Sequence, residues 1–260
     1  MIISKQDPDK LLRNIRVRVG DLTPHVLVMG DPRRVQATAA FMTDVKEVGN
    51  HREFLTITGN YAGQRLTACS HGVGAGGANL CFMQLMEGGA QVMIRAGTCG
   101  SLDVDLNEGD LIVATGAVRE DGATEHLMPL PYPAISDHGV VGALLEAATN
   151  QGVNDPRMGL IVTQANFYPT DVVPARFDKY VGYGVLGVEM ELSALLVLAH
   201  MHGVRAGGIV TCDGNLVRQP DPKLSRYDPH REVVDKGTKI MLKSALEALA
   251  HLASMDAKAR

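Results

Sequence analysis

Tryptophan is absent from this 260-residue chain, and the aromatic residues together make up only 4% of it. A core so poor in rings is built from aliphatic side chains, and two adjacent aromatics become informative. Cysteine is scarce as well: Cys69, Cys81, Cys99 and Cys212 stand far apart without CxxC spacing. This gives neither a zinc ribbon nor a disulfide frame, and the expectation is reduced thiols in an intracellular protein. No apolar run reaches the roughly 18 residues of a membrane span, and the opening residues lack the apolar centre of a secretion signal. The chain is therefore expected in the cytoplasm, without a membrane anchor. Basic clusters are missing too, at a net charge of -4, which speaks against a nucleic-acid or anionic-membrane partner. No metal is expected: Glu125 and His126 are adjacent and do not share a face.

What is present is an alternation of short apolar runs and helical patterns, long enough for one large α/β domain spanning residues 1–260. Residues 1–24 read as an N-terminal arm. His25 to Met29 is a buried strand, after which Gly30-Asp31-Pro32 turns into a helix through Ala40. Phe54 to Thr58 and Arg65 to Ser70 read as strands joined by a turn over Gly59 to Gly63. A glycine-rich turn from His71 to Gly77 leads into a helix from Ala78 to Met86. Val92-Met93-Ile94 is a strand expected to end at Arg95, where Gly97 and Gly100 turn the chain. Asp110 to Val118 is another strand, and the long polar loop over residues 119–137 has the length of a functional or mobile segment. Gly139 to Asn150 is a helix and Arg157 to Thr163 a strand. Gly187 to Glu191 ends a strand and opens a helix, Leu192 to His202. Arg205 to Thr211 is the last strand, and a helix over residues 229–255 closes the chain with an apolar face of Ile240, Leu242, Ala245, Leu246, Leu249 and Leu252.

Chemistry-bearing side chains gather at these strand ends. Arg33 or Arg34 beside a helix start, and Arg95 followed by Thr98, suit an oxyanion through charge, hydroxyl and exposed N–H groups. The alternative is that Arg95 pairs with a buried acid and its glycines only reverse the chain. Gly72-x-Gly74-x-x-Gly77 matches the letters of a dinucleotide fingerprint, but the next strand ends in Arg95 rather than an acid, leaving NADP-linked oxidoreduction as a remote option. Phe167-Tyr168 before a proline is either a wall for a flat ring or core packing. Glu189 and Glu191 around Met190 either cap a helix or, through Glu191, accept from a sugar diol. Asp213 is either a cap or a general acid.

The order of these stretches resembles the hexameric purine nucleoside phosphorylase and uridine phosphorylase family, from about Arg13 to Leu252. The matching stretches are Gly30-Asp-Pro-x-Arg34, Asn50-x-Arg52-Glu, Ser70-His-Gly-Val-Gly74, Arg95-Ala-Gly-Thr-Cys-Gly-Ser101, Phe167-Tyr-Pro169, Val188-Glu-Met-Glu-Leu-Ser-Ala194 and Asp213-Gly. Arg119-Glu-Asp121 and Asp213-Gly214 are worded most like the malaria-type purine branch. The resemblance implies a central mixed β-sheet flanked by helices, a hexamer built as a trimer of dimers, and no cofactor beyond inorganic phosphate as co-substrate. It also implies the activity: phosphorolysis of a nucleoside to free base and ribose 1-phosphate, in purine salvage.

By the same resemblance Gly30, Arg34, Arg95 and Thr98 match the phosphate positions, and Arg52 the arginine that a neighbouring subunit contributes. Met190 and Glu191 match the ribose contacts. Phe167 faces the base, with Val73 and Glu189 lining the pocket, and Asp213 matches the acid that protonates N7 of a purine. Uridine phosphorylases carry a glutamine and an arginine where this chain has Asp171 and Val173, and lack the acid at Asp213, so a purine (6-oxopurine) substrate is expected. The alternative is a uridine or broad-specificity phosphorylase, and a non-catalytic nucleoside-binding relative is a third reading. Related nucleosidases use water and lack the arginines. Asn14 stands where the family has a histidine reaching a neighbour's ribose 5′-hydroxyl, and Gln219 lies near the place of the malaria-type tryptophan.

Overall fold

The continuous apolar runs at Val26 to Met29 and Val92 to Ile94 become central strands buried on both faces. In the computed structural model, which describes residues 7–168, 177–218 and 231–259, the strand β1 (His25–Met29) sends Val26 and Val28 into one core layer and Leu27 and Met29 into the other. The two-residue period of a strand divides the run in this way, so an unbroken apolar run needs cover on both sides. Here α2 (Ala75–Glu87) and α4 (Leu192–His202) cover one face, while α1 (Pro32–Ala39), α3 (His138–Asn150) and α5 (Glu232–Lys258) cover the other. α5 begins and ends three residues later than its sequence pattern suggests, and seats Leu242, Leu246 and Leu249 fully in the core. Each such leucine contributes about 1.5–3 kcal/mol on burial.

The remaining strands are β2 (Thr43–His51), β3 (Phe54–Tyr61), β4 (Gln64–Ser70), β5 (Val92–Ser101), β6 (Leu111–Glu120), β7 (Ala134–Ile135), β8 (Arg157–Gln164), β9 (Val185–Glu189) and β10 (Arg205–Asn215). Together they form one mixed sheet with the order β10-β6-β8-β9-β5-β1-β4-β3-β2, to which β7 adds beside β6. β10 also pairs in parallel with β5 over most of its length, so β5, β9, β8, β6 and β10 close into a ring. This is a single α/β domain with a mixed sheet flanked by helices.

Several boundaries differ from the sequence reading. β5 does not end at Arg95: it pairs with β10 as far as Ser101, and Gly97 and Gly100 lie within the strand instead of in a turn. β10 likewise continues beyond Thr211 to Asn215. The β3–β4 turn is only Ala62-Gly63, both at positive φ. The loop over 119–137 is not loose but wound around Arg119. The Arg119 guanidinium donates to the carbonyls of Met128, Pro129 and Tyr132, each at 2.7 Å, and to Thr124 Oγ1 at 3.0 Å. Asp121 fastens the same loop to α4 by accepting from Ser193 Oγ. Within the arm, Leu12, Ile15 and Val17 are buried in the main core. Among the described residues, no helix is long and apolar enough to cross a membrane.

Candidate active site

The carboxyl ends of β1, β5, β9 and β10, with the loops after β4 and β8, surround one cavity of about 700 Å³. Gly30 and Asp31 enter it from β1. Asp31 caps α1 by accepting from the Arg33 amide, and Pro32 supplies the first helical position. The two neighbouring arginines then separate. Arg33 folds back on Asp31 at 2.9 Å and is exposed, whereas Arg34 crosses to β5 and donates from Nη2 to Thr98 Oγ1 at 3.2 Å.

Arg95 is only 3% exposed and stands beside this pair on the cavity wall. Its Nη2 is shared between Glu191 and, at 3.0 Å, Glu189. Its Nε and Nη1 have no hydrogen-bond partner among the described residues. The guanidinium lies against Gly97, where a Cβ would stand 2.0 Å from Nη1; that is why this strand position carries glycine. Burial opposes the Arg95 charge, but Glu189 and Glu191 outweigh it and hold its pKa above the ordinary value. Burial also pushes on both acids, with different outcomes. At Glu189 burial prevails over Arg95 and the pKa is raised, while at Glu191 Arg95 and the Gly74 N–H bring it below the usual carboxylate value.

The two acids do different work. Glu189 caps α4, accepting from the amides of Glu191 at 2.8 Å and Leu192 at 2.9 Å, and also from Thr163 Oγ1. Helix capping thus engages the carboxylate expected to line the pocket beside the base, and Glu189 still lies on the cavity wall. Glu191 also lines the cavity, accepting from the Gly74 amide at 2.6 Å. Gly72 and Gly74 both take positive φ to present that amide, which gives the glycine-rich turn its role in this chain. Met190, Val73, Phe167 and Tyr168 form the apolar walls; the two rings meet edge to face at 5.5 Å.

Asp213 arrives by an irregularity. The β5–β10 register shifts between Cys212 and Gly214, so Asp213 is the extra residue of a bulge, 5% exposed and on the cavity wall. A bulge re-aims a side chain that regular alternation sends elsewhere.

Two predicted residues stand apart. Arg52 lies in the tight β2–β3 turn at φ 55°, exposed and outside this chain's own cavity. Asn14 also lies off the cavity, its backbone amide donating to Gln84 Oε1. Asp171, Val173, Gln219 and the greater part of the 216–228 loop lie outside the described residues. Sequence reasoning missed Glu53, which lines the cavity beneath Gly72, and His71. Among the described residues, no group of three or more His, Cys, Asp or Glu is placed to hold a metal ion.

His71 is fully buried behind Gly30, stacked edge-on against Phe82, with Nδ1 against the Gly72 carbonyl at 2.8 Å. Burial holds its pKa down at about 4, the pull of Glu191 being the smaller effect. Between that value and the ordinary 6.5, the unfolded chain binds a proton that the fold refuses. Stability from this residue is complete above pH 6.5 and is lost as pH falls toward 4, by about 2 kcal/mol between pH 7 and 4.5. His71→Phe is expected to flatten urea-unfolding stability against pH by that amount relative to wild type; parallel curves refute it.

Comparison with known proteins places these features in context. The family model described as "Phosphorylase superfamily" matches residues 24–250. A purine nucleoside phosphorylase of Plasmodium falciparum is 36% identical over 248 residues, covering 95% of this chain and 98% of that one. A uridine phosphorylase of Klebsiella aerogenes is 30% identical, covering 86% and 91%. The crystal structure of a purine nucleoside phosphorylase from Toxoplasma gondii in complex with immucillin-H superposes with a TM-score of 0.88 at 31% identity, covering 97% of this chain and 100% of that one.

Proposed function

We propose, from the premise that this chain belongs to the phosphorylase superfamily, that it acts on purine ribonucleosides, with 6-oxopurines such as inosine as preferred substrates. Its enzyme class is nucleoside phosphorylase. One observation carries the purine reading: a single cavity is lined by the Arg34–Thr98 pair, by Arg95 and by the buried residue Asp213.

Inorganic phosphate attacks C1′ of the ribose as the C1′–N9 bond breaks and its electron pair passes to the base. Arg34, Arg95 and Thr98 hold and orient the phosphate by charge-assisted hydrogen bonds. Glu191, ionised through its contact with Arg95, accepts from the 2′- and 3′-hydroxyls, and Met190 packs on the sugar face. Phe167 and Val73 flank the base, and Asp213 delivers a proton to N7 so that the purine leaves neutral. Greater identity to the Plasmodium purine enzyme than to the Klebsiella uridine enzyme supports the same preference. Arg52, exposed on its hairpin and off its own cavity, is suited to completing the site of a second copy, in keeping with a hexamer built as a trimer of dimers.

The test is release of base from inosine and from uridine, each with and without phosphate. Phosphate-dependent hypoxanthine and ribose 1-phosphate, with at least tenfold less uracil, is the expected result. Dominant uracil release transfers the assignment to a uridine or broad-specificity phosphorylase, a reading supported by the 30% identity to a uridine phosphorylase. Release without phosphate overturns the phosphate role of the arginines.

A further inference from the structure

Thr163, on β8, is fully buried and off the cavity wall, yet its hydroxyl joins two parts of the site. Its Oγ1 donates to Glu189 Oε1 at 2.5 Å and accepts from the Ser193 amide, in the first turn of α4, at 2.9 Å. The other partners of the Glu189 carboxylate are the amides of Glu191 and Leu192 and Nη2 of Arg95, all of which can only donate. Among these partners, Thr163 Oγ1 alone can accept a proton from Glu189. The threonine hydrogen would then need a new acceptor. The hydroxyl thus favours the ionised carboxylate, against burial, which favours the neutral one.

We infer that Thr163 is a positioning residue: by holding Glu189 in place as an anion, it fixes the Arg95 guanidinium in the pose that meets phosphate. This rests on the phosphate reading of Arg95 above. Nη2 of Arg95 is anchored between Glu189 and Glu191 while Nε and Nη1 have no partner among the described residues, and a planar guanidinium turns as a unit. The free N–H groups are therefore aimed by the anchored end. A Glu189 that has lost its charge leaves Glu191 as the only anion on Nη2, and the plate tilts more freely. The titratable groups around this carboxylate are few. Arg95 and the Cys99 thiol face it from β5 and Glu191 from its own junction, with His71, from the loop after β4, facing Glu191. Glu191 is held below the usual carboxylate value, His71 at about 4, and burial with the Cys212 contact pushes Cys99 up, so Glu189 is the one whose protonation is brought toward neutral pH. Asp213, as a proton donor, governs the opposite, alkaline limb of the pH profile.

The test follows kcat and the KM for phosphate against pH in wild type, Thr163→Val, Thr163→Ala and Thr163→Ser, with saturating inosine or, should uracil release dominate, uridine. Titration of phosphate itself is common to all four proteins and cancels between them. Both hydroxyl-free variants are expected to raise the KM for phosphate about tenfold, with kcat changed less than about threefold, and to move the acid limb of kcat/KM up by about one pH unit, because one hydrogen bond to a charged group is lost. Thr163→Ser keeps the hydroxyl and is expected to restore both. The Ser193 amide also loses its acceptor in Thr163→Val and Thr163→Ala, so melting temperatures are recorded, and two such variants are used so that misfolding of one does not decide the matter. Activity lost without displacement of the acid limb marks a structural role and overturns the proposal while leaving the phosphate reading in place. A lower KM for phosphate in the variants at acid pH also overturns it, by showing that Glu189 competes with phosphate for Arg95. Release of base by the wild type without phosphate instead overturns the phosphate reading, and this inference with it.

Discussion

Arg95→Met is expected to lower phosphorolysis of inosine by about three orders of magnitude and to destabilise the protein in the same step. The activity loss follows from geometry. Arg95 is the one guanidinium of the proposed phosphate site that is fully buried, and its Nε and Nη1 have no hydrogen-bond partner among the described residues, while Nη2 is held by the two acids. The stability loss has a separate cause. Arg95 stands between Glu189 and Glu191, 2% and 5% exposed, and without it two buried carboxyls face one another uncompensated. Breaking a buried pair by removing one partner costs about 3–5 kcal/mol. The two effects separate in a double variant. Arg95→Met with Glu189→Gln removes one of the stranded charges, and is expected to recover a large part of the thermal stability while activity stays at the level of the single variant. Recovery of activity along with stability would make Arg95 a structural counter-ion and return the site to the plain reading of an arginine paired with buried acids.

How far such a site is legible in a sequence depends on which force shapes each part. Burial on both faces leaves a plain mark, and β1 and the first half of β5 are unmistakable apolar runs. The Glu189-Met190-Glu191 junction is equally plain, because carboxylates beside an apolar helix are costly unless something partners them. β2, by contrast, reads Thr-Asp-Val-Lys-Glu-Val-Gly-Asn-His, and all nine positions are exposed or half-buried. An edge strand wet on both faces carries no two-residue period, and its pairing with β3 leaves no trace in hydropathy. Glycine punctuation misled at Gly97 and Gly100 because those residues are small for a tertiary reason. The Arg95 guanidinium and the Leu216 side chain occupy the space that a Cβ would need. Closure of β10 against β5 is likewise a long-range pairing that no local window contains.

Asp213 was legible as a residue type and illegible as a position, and its test turns on that difference. As the extra residue of a bulge it is aimed by backbone irregularity, with Gly214 opposite Gly100 restoring the register beyond it. Its removal leaves the strand pairing intact, so Asp213→Ala is expected to fold and to bind phosphate normally. Phosphorolysis of inosine is expected to fall by about two to four orders of magnitude, the span of a lost general acid. The chemistry supplies its own control. In 7-methylguanosine N7 already carries a methyl group and the base is cationic, so it departs without receiving a proton. With that substrate Asp213→Ala is expected to lose less than about tenfold, because no proton transfer to N7 remains to be catalysed. A comparable fall on both nucleosides would mean that Asp213 positions the base without protonating it, and the bulge would then serve recognition alone. A selective fall on inosine ties the β10 irregularity to the proton, and makes that one residue inserted into a parallel strand pair the feature that suits the site to purines.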